Sequence, residues 1–188
     1  TLDAAMTTTG GANITITNSG TAALSALVTS AGTTTFDGAG AITLGANIVS
    51  TGSVTVSNSA ITLTGDRSIS TTNANITLDE VLTNTNNDHV LSLTAGSGNI
   101  VIDDNLGANG GNVLGGLTIV SAGDVTLSGA EATADLGATS GLTVTAASGD
   151  VEFDAAVNSA GAIDINTATL TLDAAMTTTG GANITITN

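Results

Sequence analysis

Short apolar–polar–apolar triplets recur along the chain, each preceded by a turn rich in Ser, Thr, Asn and Gly. The pattern reads TTTGGANITI at Ile14/Ile16, SAGTTTF at Thr34/Phe36, STGSVTV at Val54/Val56 and TTNANITL at Ile76/Leu78. It continues as AGSGNIVI at Ile100/Ile102, SAGDVTL at Val125/Leu127, ASGDVEF at Val151/Phe153, SAGAIDI at Ile163/Ile165 and ANITIT at Ile184/Ile186. Alternation of period two marks a strand with one face buried. Gly or Asn ahead of it supplies the positive φ that a tight corner needs. Further short strands fall between these at 42–44, 61–63, 91–93, 117–119, 142–144 and 170–172.

Most triplets recur at a step long enough for one coil of a solenoid, so each coil holds two or three short strands separated by corners. Up to Val151 the step is shortest from Ile14 to Thr34 and Val54, then lengthens through Ile76, Ile100 and Val125. The added length lies in three polar stretches, 83–89 (TNTNNDH), 103–116 (DDNLGANGGNVLGG) and 131–141 (EATADLGATSG). In a stack of coils insertions bulge sideways, so these stretches are expected as loops on one side, where binding specificity would reside. Strands at coil spacing with inward aliphatics predict an all-β parallel solenoid of about eight coils per 170 residues. A β-sandwich also shows turns every 8–12 residues, but it usually fills its core with aromatics, and this chain has two Phe and no Trp or Tyr.

A longer repeat overlies the short one. Residues 171–188 (TLDAAMTTTGGANITITN) are letter for letter residues 1–18. The organisation expected is one tandem-repeat unit over 1–170, then the start of the next over 171–188, a window on a longer array. Residues 171–188 are then expected to stack on the preceding coil as residues 1–18 do, with the same side chains at the same depth: Met176 with Met6, Ile184 with Ile14, Asp173 with Asp3. Repetition builds length and surface and adds nothing to a single catalytic pocket.

Composition sharpens this. Thr fills 36 of 188 positions, and its branched Cβ suits extended backbone. Sixteen Asp and Glu against one Lys or Arg give a net charge of −15, which excludes nucleic acid because no basic patch can displace phosphate counterions. No run of 18 apolar residues is present, so no helical span is expected and membrane insertion is not. There is no Cys.

Candidate chemistry is sparse. A carboxylate or hydroxyl follows many strands: Asp3, Asp37, Asp79, Asp103, Asp154 and Asp173, with Ser128 and Thr64 in its place after two others. Asp at a corner commonly accepts hydrogen bonds from the following backbone N–H groups. The functional alternative is Ca²⁺, which gathers six to eight oxygens. Its candidate ligands are Asp79, Glu80, Asp103 and Asp104, although the regular Gly-Gly-x-Gly-x-Asp nonapeptide of calcium-loaded β-rolls is absent. No other cofactor is indicated. His89 sits in a polar stretch with no nucleophile motif, and Arg67 offsets local negative charge beside Asp66. With no Lys, Tyr or Trp, neither a catalytic base nor a sugar-stacking platform can be assembled, so no enzyme is expected. Thr-x-Thr pairs (Thr15/Thr17, Thr33/Thr35, Thr143/Thr145) suit an ice-binding solenoid, but they do not recur in every coil.

The strand opening G-(N/D)-(I/V)-T-(I/L), repeated over the whole chain, resembles that of large repetitive bacterial surface proteins of the filamentous-haemagglutinin type. The resemblance implies a right-handed parallel β-helix from a secreted adhesin at the bacterial cell surface. The resemblance assigns no binding residue. Stacked coils have open ends whose unpaired strands invite continuation, so the partner expected is the protein itself, end to end or side by side in fibres or a biofilm matrix. The function expected is therefore structural, a segment of an extracellular fibre, stalk or adhesin. A cation-dependent binding module is the alternative, and an ice-binding solenoid the lesser one.

Overall fold

The computed structural model describes residues 1–79, 82–84, 88–104, 106–107, 113–128, 133–145 and 147–188. The chain winds into a parallel β-solenoid of about eight coils, with no helix among the described residues. Every strand pairing is parallel.

Three walls run the length of the stack. The first begins Met6–Thr7, Val28–Ser30, Ile48–Ser50, Arg67–Thr71, Val90–Thr94 and Leu114–Ser121. It continues through the end of Thr133–Val144 to Ile163–Asn166 and Ile184–Thr187. The second wall holds Ile14–Ile16, Thr34–Asp37, Val54–Ser57, Ile76–Leu78, Ile100–Ile102, Val125–Leu127, Asp150–Phe153 and Thr169–Leu172. The third opens with the bridge of Leu2 to Leu24, then Ala22–Leu24, Ile42–Leu44, Ile61–Leu63 and Leu82–Asn84. Its far end is the start of Thr133–Val144, Ala156–Ser159 and Met176–Thr178.

Alternation along each strand decides what lies inside. The second wall's inward ladder runs Ile16, Phe36, Val56, Leu78, Ile102, Leu127, Phe153, Leu172, each stacked on the one before. All the inward positions named from the pattern up to Ile165 are buried except Ile16, which sits half-buried in the first coil. The core is almost wholly aliphatic, and both Phe residues are fully enclosed in this one ladder. A space this narrow, lined by three short strands per coil, is filled by Ile, Leu and Val without large rings.

Hydroxyls close the corner between the first and second walls from within. Buried Ser30 donates to the Thr33 carbonyl at 2.9 Å, and buried Ser50 donates to the Gly32 carbonyl at 2.8 Å. Thr71 and Thr167 do the same toward Ala74 and Thr169. Each hydroxyl is satisfied at a corner carbonyl; those of Thr33 and Gly32 also accept an inter-coil N–H, from Ile14 and Gly52. Positive φ enters where the pattern placed it, at Gly11, Asn73 and Gly96 just before second-wall strands. Gly98 has ordinary φ, yet a Cβ there would collide with the Ala74 backbone of the coil beneath.

Two expectations are corrected. The polar stretches are not simply side loops: residues 114–116 belong to strand Leu114–Ser121, and residues 133–141 to the long strand Thr133–Val144. Wall pairing absorbs part of the insertion, because a parallel neighbour satisfies more backbone than solvent-facing slack would. Residues 85–87, 105, 108–112 and 129–132 lie outside the described residues.

The second correction concerns the duplicate. Met176 and Asp173 sit at the depths of Met6 and Asp3, but Ile184 in the last coil is exposed where Ile14 is buried, and the walls differ. Met6 pairs on the first wall with Val28, whereas Met176 pairs on the third with Val157. Ile14 belongs to the second wall, stacked on Thr34, whereas Ile184 belongs to the first, stacked on Ile163. Leu2 bridges on the third wall and Leu172 stacks on Phe153 in the second. Identical sequence therefore occupies different walls. An inward–outward–inward strand fits any of the three, and the summed corner lengths decide which one it reaches.

Two substitutions check the packing. Ile76→Ala should lower stability by about 2–5 kcal/mol, while outward Thr77→Ala should change it by no more than about 1 kcal/mol, read from urea unfolding. Gly98→Ala should cost about 1–3 kcal/mol through overpacking against the neighbouring coil, a loss that Gly20→Ala, with open space around its Cα, should not reproduce.

Candidate functional site

Because the coils stack in register, each outward position on a wall becomes a column of side chains about 4.8 Å apart. The second wall carries three such columns. The leading one holds Asn13, Thr33, Ser53, Asn75, Asn99, Asp124, Asp150 and Thr169. The central one holds Thr15, Thr35, Thr55, Thr77, Val101, Thr126, Glu152 and Thr171. The trailing one holds Asp37, Ser57, Asp79, Asp103, Ser128, Asp154 and Asp173.

The leading column is a hydrogen-bond ladder. Asn13 Oδ1 accepts the Thr33 N–H at 2.8 Å, and Asn75 Oδ1 accepts the Asn99 N–H at 2.9 Å. Asn99 Oδ1 accepts the Asp124 N–H at 3.0 Å, and Asp124 Oδ1 accepts the Asp150 N–H at 3.0 Å. A short carboxamide or carboxylate at a corner thus takes a donor from the coil above it. The same device recurs elsewhere: Asn73 Oδ1 accepts the Ser97 N–H, Asn47 Oδ1 the Ser68 N–H, and Asp66 Oδ1 the Val90 N–H. Reading the sequence strand by strand misses this ladder. The recurring Asn or Asp just before a strand is the available signal.

Five of the six sequence-singled carboxylates, Asp37, Asp79, Asp103, Asp154 and Asp173, do share the trailing column, and Ser128 with them. Asp3 and Thr64 do not. They end the third wall, in a column with Ser25 and Gly45. The trailing carboxylates also bond differently from a simple corner Asp. Asp103 Oδ1 accepts the Ser128 hydroxyl at 2.8 Å and Asp37 Oδ1 accepts the Asn58 amide at 3.3 Å, both from the following coil.

Charge concentrates on this face. Asp37, Asp79, Asp103, Asp124, Asp150, Glu152, Asp154 and Asp173 are half of the sixteen acidic residues, and no basic residue joins them. All but Asp37 lie in the later coils, so the face grades from hydroxyl to carboxylate along the axis. Asp79 and Asp103 are consecutive in the column. Partial burial of Asp79, and secondarily the charge of Asp103, raise its pKa above 3.8.

The calcium candidates fare unequally. Asp79 and Asp103 stack, but among the described residues they do not gather with Asp104 into a three-carboxylate cluster, and Glu80 lies outside the described residues. The cluster that forms is Glu152, Asp154 and Asp173, with carboxylate oxygens within 4.8 Å of one another. His89 Nδ1 lies 3.2 Å from Asp88 Oδ1. Arg67 donates to the Asp66 backbone carbonyl at 2.6 Å, so its link to that residue is through the main chain. No pocket opens among the described residues.

Comparison with protein-family models, with curated proteins and with solved structures finds no match to this chain.

The raised pKa of Asp79 has a definite sign. The unfolded chain ionises this group first, so above the folded pKa its charge opposes folding, and the opposition fades as pH falls toward 3.8. Asp79→Asn should therefore raise the urea midpoint at pH 7. The gain should shrink through acid pH and vanish below 3.8, as measured by paired denaturation curves across pH.

Proposed function

We propose that this chain is a structural segment of an extracellular bacterial fibre, stalk or adhesin, built by tandem continuation of one solenoid. The observation that carries the reading is the placement of residues 171–188. The sequence that opens the chain is built into the far end of the stack, pairing with Phe153, Val157 and Ile163 as a further coil. A repeat that stacks on its predecessor through unbroken backbone pairing extends a rod without linkers. Stacking is also how a solenoid gains stability, since each coil buries its faces only against its neighbours.

The composition of the surface supports an extracellular setting of this kind. The outward columns are mainly hydroxyl, amide and carboxylate groups, interrupted by Val49, Val101 and Val120, with nothing basic among them to hold nucleic acid. The partner this reading assigns is the protein itself, end to end or side by side. A receptor or matrix ligand would meet the outward columns of the walls.

Immunogold labelling with antibodies to residues 1–170 should decorate filaments outside the producing cells. Label confined to the cell interior would overturn the proposal. In solution, the isolated 188-residue chain should associate end to end or fray at its terminal coils. A chain that stays monomeric at high dilution and melts in one sharp transition would count against it.

The carboxylate cluster favours one second reading, a cation-dependent binding module. Under it, millimolar Ca²⁺ should raise the melting temperature reproducibly, and either Asp103→Asn or Asp154→Asn should abolish the rise. Identical melting in Ca²⁺ and in chelator leaves the purely structural reading.

A further inference from the structure

The two copies of the 18-residue segment fix a phase relation between the sequence repeat and the coil. From Met6 to Met176 the chain completes seven whole coils and two further walls, from the first wall round to the third. From Ile14 to Ile184 it does the same, from the second wall round to the first. Leu2 and Leu172 agree, moving from the third wall to the second. Three positions, one from each wall, give the same offset. The 170-residue repeat falls one wall short of eight coils.

We infer that in a tandem array each repeat is turned by one wall, a third of a turn about the axis, relative to the repeat before it. The inference rests on the tandem reading of the duplicate. The hydroxyl–carboxylate face that residues 13–154 place on the second wall is then carried on the first wall by the next repeat. The repeat after that carries it on the third, and the fourth restores it to the second. Three repeats span twenty-three coils, about 110 Å at the spacing of parallel strands. The array thus has a structural period three times its sequence period, and it presents one interaction face in three directions. A flat partner lying along the array, such as a neighbouring fibre with the same face, engages that face once in every three repeats.

The physical basis is the equivalence of the walls. Inward positions on every wall are apolar or small and uncharged, so rotation by one wall buries no charge and leaves no strand unpaired. Val157 accepts Met176 on the third wall as Val28 accepts Met6 on the first, and Ile165 accepts Ile186 as Phe36 accepts Ile16. Nothing in the packing restores the lost wall.

Disulfide trapping in the 188-residue chain tests the offset directly. In-register neighbours of a parallel ladder are close enough for a disulfide, and the protein has no Cys of its own. Asp164→Cys with Thr185→Cys, outward partners on the first wall, should give a reducible shift in electrophoretic mobility on mild oxidation. Glu152→Cys with Thr185→Cys, which would be second-wall neighbours if residue 185 kept the wall of Thr15, should give none. The opposite result overturns the inference and leaves the fibre proposal standing. Conversely, the first result with antibody label confined to the cell interior removes the fibre proposal and leaves the offset intact.

The array itself is read by electron microscopy of four tandem repeats carrying Thr35→Cys with a gold cluster on each. Labels should step round the rod in three directions and realign at the fourth. Labels along a single side would overturn the inference.

Discussion

Everything in this structure depends on parallel stacking in register, coil upon coil. A coil of three short strands has no partner within itself, so nearly all its backbone groups must find theirs in the coils above and below. That requirement sets the spacing near 4.8 Å and forces each side chain to sit over the corresponding one of the next coil. Columns of like residues follow. Some are favourable: aliphatic ladders exclude water, and the Asn and Asp ladder turns a corner amide into a bond between coils. Others carry a penalty, as where Asp79 and Asp103 bring two carboxylates into consecutive positions. Ser57 and Ser128 interrupt the same column and keep it from being acidic throughout.

The strands were legible in the sequence because burial of one face writes a period of two that few other structures share. Ile76 and Leu78, Val125 and Leu127, Ile163 and Ile165 all lie where alternation placed them. The wall each strand joins was not legible from alternation, which is the same on all three. It resides in the spacing. The step from Val151 to Ile163 is much shorter than any between the earlier triplets. Their ladders show why: Val151 is on the second wall and Ile163 on the first, two walls on. Asp3 falls outside the column its sequence suggests for the same reason, since a TLD segment looks alike on any wall.

The outward face was half visible. The carboxylates after the strands could be picked out, but their neighbours could not, because contact between positions a whole coil apart depends on the length of each coil. Glu152, Asp154 and Asp173 come together only because the later coils have the lengths they do. Only the end of the long strand Thr133–Val144, residues 142–144, is legible in the sequence, because Gly137, Ser140 and Gly141 ahead of it read as turn residues in isolation. Pairing on both sides, with Leu114–Ser121 below and two separate strands above, holds the strand's two ends extended on the third and first walls, with Gly141 at positive φ between them.

Arg67 gives the chain an unusual relation to proteolysis. With no Lys and a single Arg, a protease of trypsin-like specificity has one peptide bond to attack, that between Arg67 and Ser68. The bond lies in a strand flanked by Ile48–Ser50 and Val90–Thr94, and the Ser68 N–H is already held by Asn47. Such an enzyme needs an extended segment free of its sheet, so cleavage waits on the opening of several stacked coils at once. A rod made this way is guarded against a protease of that specificity by what its sequence omits, with no disulfide required.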